Sequence, residues 1–379
     1  MKIGLDLRML GGGSGISRYI GELSHAILKQ DRELSRALLK EDKRNQYVLF
    51  FRDADKSAGY SQYGHKMVVT GISHYSWAEQ FKLPRLLGEE NLDLVHFPHF
   101  NVPLKYHKPF VVTIHDLTHT KFPGKNKLRI LHRLAYQAAI SNAVKRSQKV
   151  IAISNAVKKE IVDYFAVPPS KVEVIYEAAN PFFHMLDKQS AQKEVANRFP
   201  ISKPYILYVG VFRRYKNLKA LAEAFDRLRQ KGLDYELVLA GEADPFYPEI
   251  RNQITDVAHH ESVKILGKVS DEDLLYLYNA ADLFVLPSLS EGFGLTPLEA
   301  ASCGVPVACS DIPVLREVMG SGAEFFDPSD VKNMADVMMA ILADRQKAED
   351  LANAGLRRLA HFNWKKTAEE TIKVYQSAV

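Results

Sequence analysis

Short unbroken apolar runs alternate along the whole chain with longer stretches whose apolar residues recur every three or four positions. A short apolar run between turn residues suits a strand buried on both faces, and the longer periodic stretches suit the helices that cover it. Up to residue 176 the pattern predicts strands at 2–6, 47–51, 67–70, 93–97, 109–114, 149–153 and 172–176, with helices at 15–29, 77–87, 127–147 and 155–165. Ser154 stands where an N-cap for the last of these helices belongs. A second series predicts strands at 205–210, 236–240, 263–266, 283–286, 306–309 and 323–326, and helices at 217–230, 246–259, 271–280, 295–303, 330–342 and 346–360. The last stretch is amphipathic, with Trp364, Ala368, Ile372 and Tyr375 on one stripe. Residues 180–204 have weak periodicity and flanking prolines, and read as a connection. The fold class is therefore α/β: two Rossmann-like, doubly wound parallel-sheet domains facing a central cleft. Their expected bounds are 1–180 and 205–363, with a linker at 181–204 and a terminal helix at 364–379.

Composition narrows the class. With 379 residues, 46% hydrophobic and 25% charged, the chain has the make-up of a globular protein rather than a disordered, collagenous or disulfide-built one. Cys303 and Cys309 are expected to be buried thiols of a reducing compartment. No basic-then-apolar leader opens the sequence, and no apolar run reaches the roughly 18–20 residues of a membrane span. A cytoplasmic location is expected. Charge is uneven: residues 1–200 carry 30 Lys+Arg against 19 Asp+Glu, whereas residues 201–379 carry 20 against 26. A basic half suits nucleic acid, an anionic membrane leaflet or a phosphorylated substrate, and is equally the pattern of a solvated face. No interleaved aromatic–basic platform supports nucleic acid as the partner.

The most informative stretch is 282–311, DLFVLPSLSEGFGLTPLEAASCGVPVACSD. A buried strand ends in a turn, and Gly292 and Gly294 remove side chains where the backbone must approach something closely. Pro297 suits the first turn of the helix that follows. The amides of Gly294, Leu295 and Thr296 then form an anion site reinforced by the helix dipole. Carboxylates at Glu291 and Glu299, on either side of a phosphate cradle, suit hydroxyls rather than the phosphate itself. The plainer alternative is that Glu299 makes a surface salt bridge and Glu291 caps the helix.

Glu291 and Glu299, with seven residues between them in EGFGLTPLEAASCGVPV, resemble the signature of the retaining family 4 glycosyltransferases, which have the GT-B fold. The resemblance implies that Glu299 binds the ribose of a nucleotide-sugar donor and that Glu291 lies near the transferred sugar. It also implies that the backbone from Phe293 to Thr296 holds the diphosphate. Residues 205–219, YILYVGVFRRYKNLK, resemble the family's strand–glycine–basic loop: Gly210 closes the strand, and Arg213, Arg214 and Lys216 would neutralise the leaving diphosphate. Tyr215 holds the place where the family often carries Arg. Gly13 and Gly15 lie in GGGSGISRY, which resembles the family's glycine-rich loop, and the dinucleotide fingerprint G-x-G-x-x-G is not met there. His115 matches a histidine contacting donor sugar or acceptor, and Val269 lies in the segment where the nucleobase rests on backbone. The final helix resembles one that returns to pack on the first domain.

The overall likeness to bacterial mannosyltransferases of surface-polysaccharide synthesis implies transfer of mannose from GDP-mannose to a glycan or lipid-linked glycan. It implies front-face retention without metal or cofactor, and suggests inner-leaflet contact through the basic half. Three alternatives remain: a GT-B-type epimerase, a non-catalytic nucleotide-sugar-binding protein and, less compatibly, a dehydrogenase. Asp53 and Asp55 have the D-x-D spacing of metal-dependent transferases but read as a surface turn. The pairs His96/His99 and His115/His119 have no third zinc ligand nearby.

Overall fold

The computed structural model describes residues 1–12, 15–38, 45–122 and 129–379, and for 34–38 and 129–132 it describes the backbone alone. The first series of strands is β1 (Lys2–Asp6), β2 (Gln46–Phe51), β3 (Lys66–Val69), β4 (Leu94–Phe97), β5 (Phe110–Ile114), β6 (Lys149–Ala152) and β7 (Val172–Val174). Its helices are α1 (Gly15–Leu38), α2 (Trp77–Glu89), α3 (Thr118–Lys121), α4 (Arg129–Arg146) and α5 (Asn155–Phe165). Next come α6 (Lys188–Arg198), β8 (Tyr205–Val209), α7 (Leu218–Gln230), β9 (Glu236–Ala240), α8 (Glu249–Thr255), β10 (Val263–Gly267), α9 (Asp271–Ala280) and β11 (Leu283–Leu286). The chain ends with α10 (Leu295–Ser302), β12 (Val307–Ser310), α11 (Pro313–Met319), β13 (Glu324–Phe326), α12 (Val331–Leu342), α13 (Arg345–Arg358) and α14 (Trp364–Ser377).

Two compact units result: Met1–Glu177 with Asn363–Val379, and Ala178–Phe362. In the first, a seven-stranded sheet runs β3-β2-β1-β4-β5-β6-β7; in the second, a six-stranded sheet runs β10-β9-β8-β11-β12-β13. All named pairings are parallel. Runs such as FVVTI and LFVL are buried at every position, as strands covered on both faces must be. In each sheet the chain reverses its winding beside the first strand, between β1 and β4 in the first unit and between β8 and β11 in the second. Such switch points open a crevice at the carboxyl ends of the strands.

The terminal helix α14 belongs to the first unit, burying Trp364, Ala368, Ile372 and Tyr375 along the expected stripe. Ser154 caps α5, its hydroxyl accepting the Val157 amide at 3.1 Å. The stretch 181–204 differs from the expected connection. It lies in the second unit and contains α6, capped by Asp187, which buries only Ala191 and Val195. A helix with so narrow a buried stripe leaves little periodicity to read. Helix α11 was likewise unread, because seven residues opened by Pro313 give fewer than two repeats of the pattern. Among the described residues, no helix is long and apolar enough to cross a membrane. Cys303 and Cys309 are buried free thiols.

Candidate active site

At the switch point of the second unit, two loops meet. The one after β8 carries Gly210, Arg213, Arg214 and Lys216; the one after β11 carries Glu291 and leads into α10. The Leu289 amide donates to the Tyr215 carbonyl at 2.7 Å, so the loops are tied by backbone as well as by charge. Lys216 Nζ donates to Glu291 Oε1 at 2.6 Å, with the two side chains 15% and 13% exposed. Asn217 takes a left-handed conformation (φ 56°), and its side-chain amide donates to the Pro328 carbonyl at 2.8 Å. That anchored turn fixes where the preceding lysine emerges.

The other two cations have partners from the region after β9. Arg213 Nε donates to Asp244 at 2.8 Å, and Arg214 donates to Glu249 from both Nε and Nη2, at 3.0 and 2.5 Å. Arg213 is more enclosed and also hydrogen-bonds Tyr215; burial opposes its charge, yet Tyr215 and Asp244 together hold its pKa above the ordinary value.

Gly294 caps α10 with φ 103°, and a Cβ there would stand 2.8 Å from a Leu315 methyl. Only glycine fits both demands. The amides of Leu295 and Thr296 follow in the first turn, which has no intrahelical acceptors, so their partial positive charge is available to an anion. Glu299 is fully buried one turn further on and accepts from the Tyr278 hydroxyl at 3.2 Å. Burial, reinforced by the Glu299 charge, pushes the neighbouring Cys303 thiol up to about 12. The Phe293 ring is buried edge-on against Phe362 at 5.5 Å, so of this residue only the backbone remains to meet a donor. Gly210 and Gly241 end adjacent strands, and a Cβ on Gly241 would overlap the Gly210 carbonyl at 2.0 Å. Val269 is half-buried after β10, just before Ser270 caps α9 with a capping box.

In the first unit, His115 follows β5 with its side chain only 10% exposed. Its Nδ1 lies 3.1 Å from the Glu177 carboxylate and its Nε2 2.8 Å from the Pro98 carbonyl. Burial works against protonation, but the Glu177 carboxylate, the Pro98 carbonyl and Asp116 outweigh it and raise the pKa. Both partners accept, so the ring is built to be held as a cation. Gly15 opens α1, and Gly13 lies outside the described residues.

The same unit holds a cluster that sequence reasoning missed. The buried Arg8 guanidinium makes two 2.8 Å bonds to Asp6, from Nε and Nη2, and one of 2.9 Å to Glu79. Glu79 also accepts from Asn101 at 2.7 Å and from the Tyr75 amide at 2.8 Å. A signal was present: Glu79 lies on the same helical stripe as buried Leu83 and Leu87, where a carboxylate needs a buried partner.

A model of the group 1 glycosyl transferases matches residues 189–358, and a model of glycosyltransferase family 4 matches residues 13–181. The chain belongs to the family 4 glycosyltransferases. The O-antigen chain mannosyltransferase B of Escherichia coli is 29% identical over 75% of the chain and 74% of its own length. The serotype-specific mannosyltransferase WbdA of Escherichia coli is 30% identical over 76% of the chain, which spans 35% of that larger protein. Among solved structures, HepE from Anabaena in complex with UDP and glucose superposes with a TM-score of 0.74 over the full length of both chains, at 19% identity. That likeness places the transferase in the GT-B fold.

The transferase places the predicted residues in two groups. Gly210, Arg213, Arg214, Lys216, Glu291, Phe293, Gly294, Leu295, Thr296, Glu299 and Val269 belong to the second unit, and His115 and Gly15 to the first. Lys216 and Glu291 are in direct contact; His115 instead meets Glu177, which no motif had marked. Asp53 and Asp55 pair with their neighbours Arg52 and Lys56, and His96 is held by Tyr375 at 2.7 Å and Thr113 at 2.9 Å. Among the described residues, no three His, Cys, Asp or Glu side chains are grouped to hold a metal.

Proposed function

We propose that this glycosyltransferase moves mannose from GDP-mannose onto a glycan or lipid-linked glycan, with retention at the anomeric carbon and without a metal. The observation that carries the reading is the Lys216–Glu291 contact at the β8/β11 switch point, beside the first turn of α10. A cation and a helix N-terminus together supply the charge that a departing diphosphate needs, the role a divalent ion fills elsewhere. Glu299 accepts the ribose hydroxyls, while Arg213 or Arg214 adds charge at the diphosphate. As the sugar–phosphate bond loosens, a leaving phosphate oxygen takes the acceptor's proton, and the acceptor oxygen closes on the same face. The donor sugar is taken from the mannosyltransferase relatives.

The lipid-linked acceptor is supported by a patch on the first unit. Trp77 is 82% exposed and stacks on the exposed Phe81 at 6.3 Å, with Lys105 Nζ 4.2 Å from the Phe81 ring. An exposed aromatic pair beside a lysine suits an anionic bilayer surface. Sedimentation with vesicles should rise with anionic lipid content and fall in Trp77→Ala; binding that ignores lipid charge removes this part of the reading.

The decisive test is transfer from GDP-mannose in EDTA to a mannosylated acceptor, with the anomeric configuration of the product read by NMR. An α-linked product without metal supports the reading; a β-linked product or an absolute metal requirement refutes it.

A further inference from the structure

At the β1/β4 switch point of the first unit, Asp6, Met9, Ile20, His74, Pro98 and His99 line, with Asn101, a small, partly open cavity of about 10 Å³. That is room for one oxygen atom. Its walls are unusually short of partners. Among the described residues, His99 Nδ1, His74 Nε2 and, next to it in the cluster, Arg8 Nη1 are buried polar atoms with no hydrogen bond. His99 is 8% exposed, and a polar atom so enclosed normally finds a partner. We propose that this cavity seats one hydroxyl of a neutral sugar on the acceptor. The proposal rests on the reading of the protein as a transferase with a glycan acceptor.

Three observations converge. The position is where an open parallel sheet binds ligands. The unsatisfied atoms include two imidazole nitrogens, each able to donate or accept, which matches a hydroxyl that does both. The charge balance then selects a neutral group over an anion. One guanidinium, Arg8, faces two carboxylates, Asp6 and Glu79. Both histidines are held neutral: burial, only partly opposed by Asp6, lowers His74 to about 4, and burial with nearby His115 lowers His99 well below its ordinary value. A phosphate would meet an excess of negative charge. The seat also adjoins His115. Pro98 lines the cavity and its carbonyl binds His115 Nε2, while the His99 and His115 rings lie 6.4 Å apart at 29° to each other.

Saturation-transfer NMR on the full chain with the methyl α-glycosides of mannose, glucose and N-acetylglucosamine tests this. At least one glycoside should give a signal that falls fivefold or more in His99→Phe and in His74→Phe, which keep a ring but remove the polar nitrogens. Inorganic phosphate should not displace it. A melting curve confirms that each variant is folded, and the more exposed His74 position serves if His99→Phe is not. Absence of any glycoside signal, equal signals in a folded variant (a cavity holding water only), or displacement by phosphate would each overturn the proposal. Stabilisation by GDP or UDP, measured on the same samples, reports on the second unit. Its absence alone would fail the proposed nucleotide donor and leave this seat standing.

Discussion

The two switch points share a topology and differ in chemistry. Between β8 and β11, the ionic side chains are paired one to one: Lys216 with Glu291, Arg213 with Asp244 and Arg214 with Glu249. These pairs keep some contact with solvent, and the N-terminus of α10 adds positive potential beside them. Between β1 and β4, one arginine with no exposed side-chain surface serves two carboxylates, and His74 and His99 are held neutral. The parallel sheet dictates where a ligand goes; the side chains at the strand ends dictate which ligand it is. The first arrangement suits a diphosphate, the second a hydroxyl.

The sharpest break in this contrast is Arg8→Met. It strands two buried carboxylates, and removing one partner of a buried ionic cluster costs on the order of 3–5 kcal/mol. The lowest-melting transition should fall accordingly in a calorimetric scan, and Lys216→Ala, which leaves a single carboxylate that keeps some contact with solvent, should lower stability less. Lys216→Ala should instead cut kcat on the order of 10²–10³-fold, the usual loss when one preorganised charge at the leaving group is removed. Steady-state kinetics on a folded variant checks this. Gly294→Ala comes next. A methyl at φ 103°, 2.8 Å from Leu315, should cost roughly 1–3 kcal/mol and weaken nucleotide binding by moving the first turn of α10.

The smallest effect sharpens the first unit alone. Because the pKa of His115 is raised, its proton stabilises the fold fully below the unfolded value near 6.5, and that stability is lost as pH climbs through the folded value. Melting temperatures should therefore decline above about pH 6.5 in the wild type. Glu177→Gln removes the chief stabiliser of the cation and should flatten that limb. An unchanged pH profile would mean that Glu177 does not hold the proton on His115.

The difference between the two sites also explains what the sequence could tell. Lys216, Glu291, Gly294 and Glu299 stand in two short segments whose spacing is itself the signal. Strands β5, β8 and β11 announced themselves because a strand covered on both faces must be apolar throughout. Arg8 meets Glu79 across 71 residues, and His115 meets Glu177 across 62, so neither pairing leaves a local pattern. Only the charge on the apolar stripe of α2 hinted at the first. For Arg213 and Arg214, the sequence offered three cations within four residues and no way to divide them. In the structure Arg213 pairs with Asp244 and Arg214 with Glu249, both contributed from beyond β9. The polar helix α6 stayed hidden because helical periodicity is visible only where a broad face is buried.

The central claim, that the second switch point is a metal-free diphosphate site, is tested most directly by melting the protein with GDP, UDP, ADP or NAD⁺, each with EDTA or with Mg²⁺. A nucleoside diphosphate at 100 times its Kd should add about 2.7 kcal/mol of stability. The account predicts that GDP gives the largest shift, undiminished by EDTA and lost in Lys216→Ala. A shift that appears only with Mg²⁺, or only with NAD⁺, would contradict it.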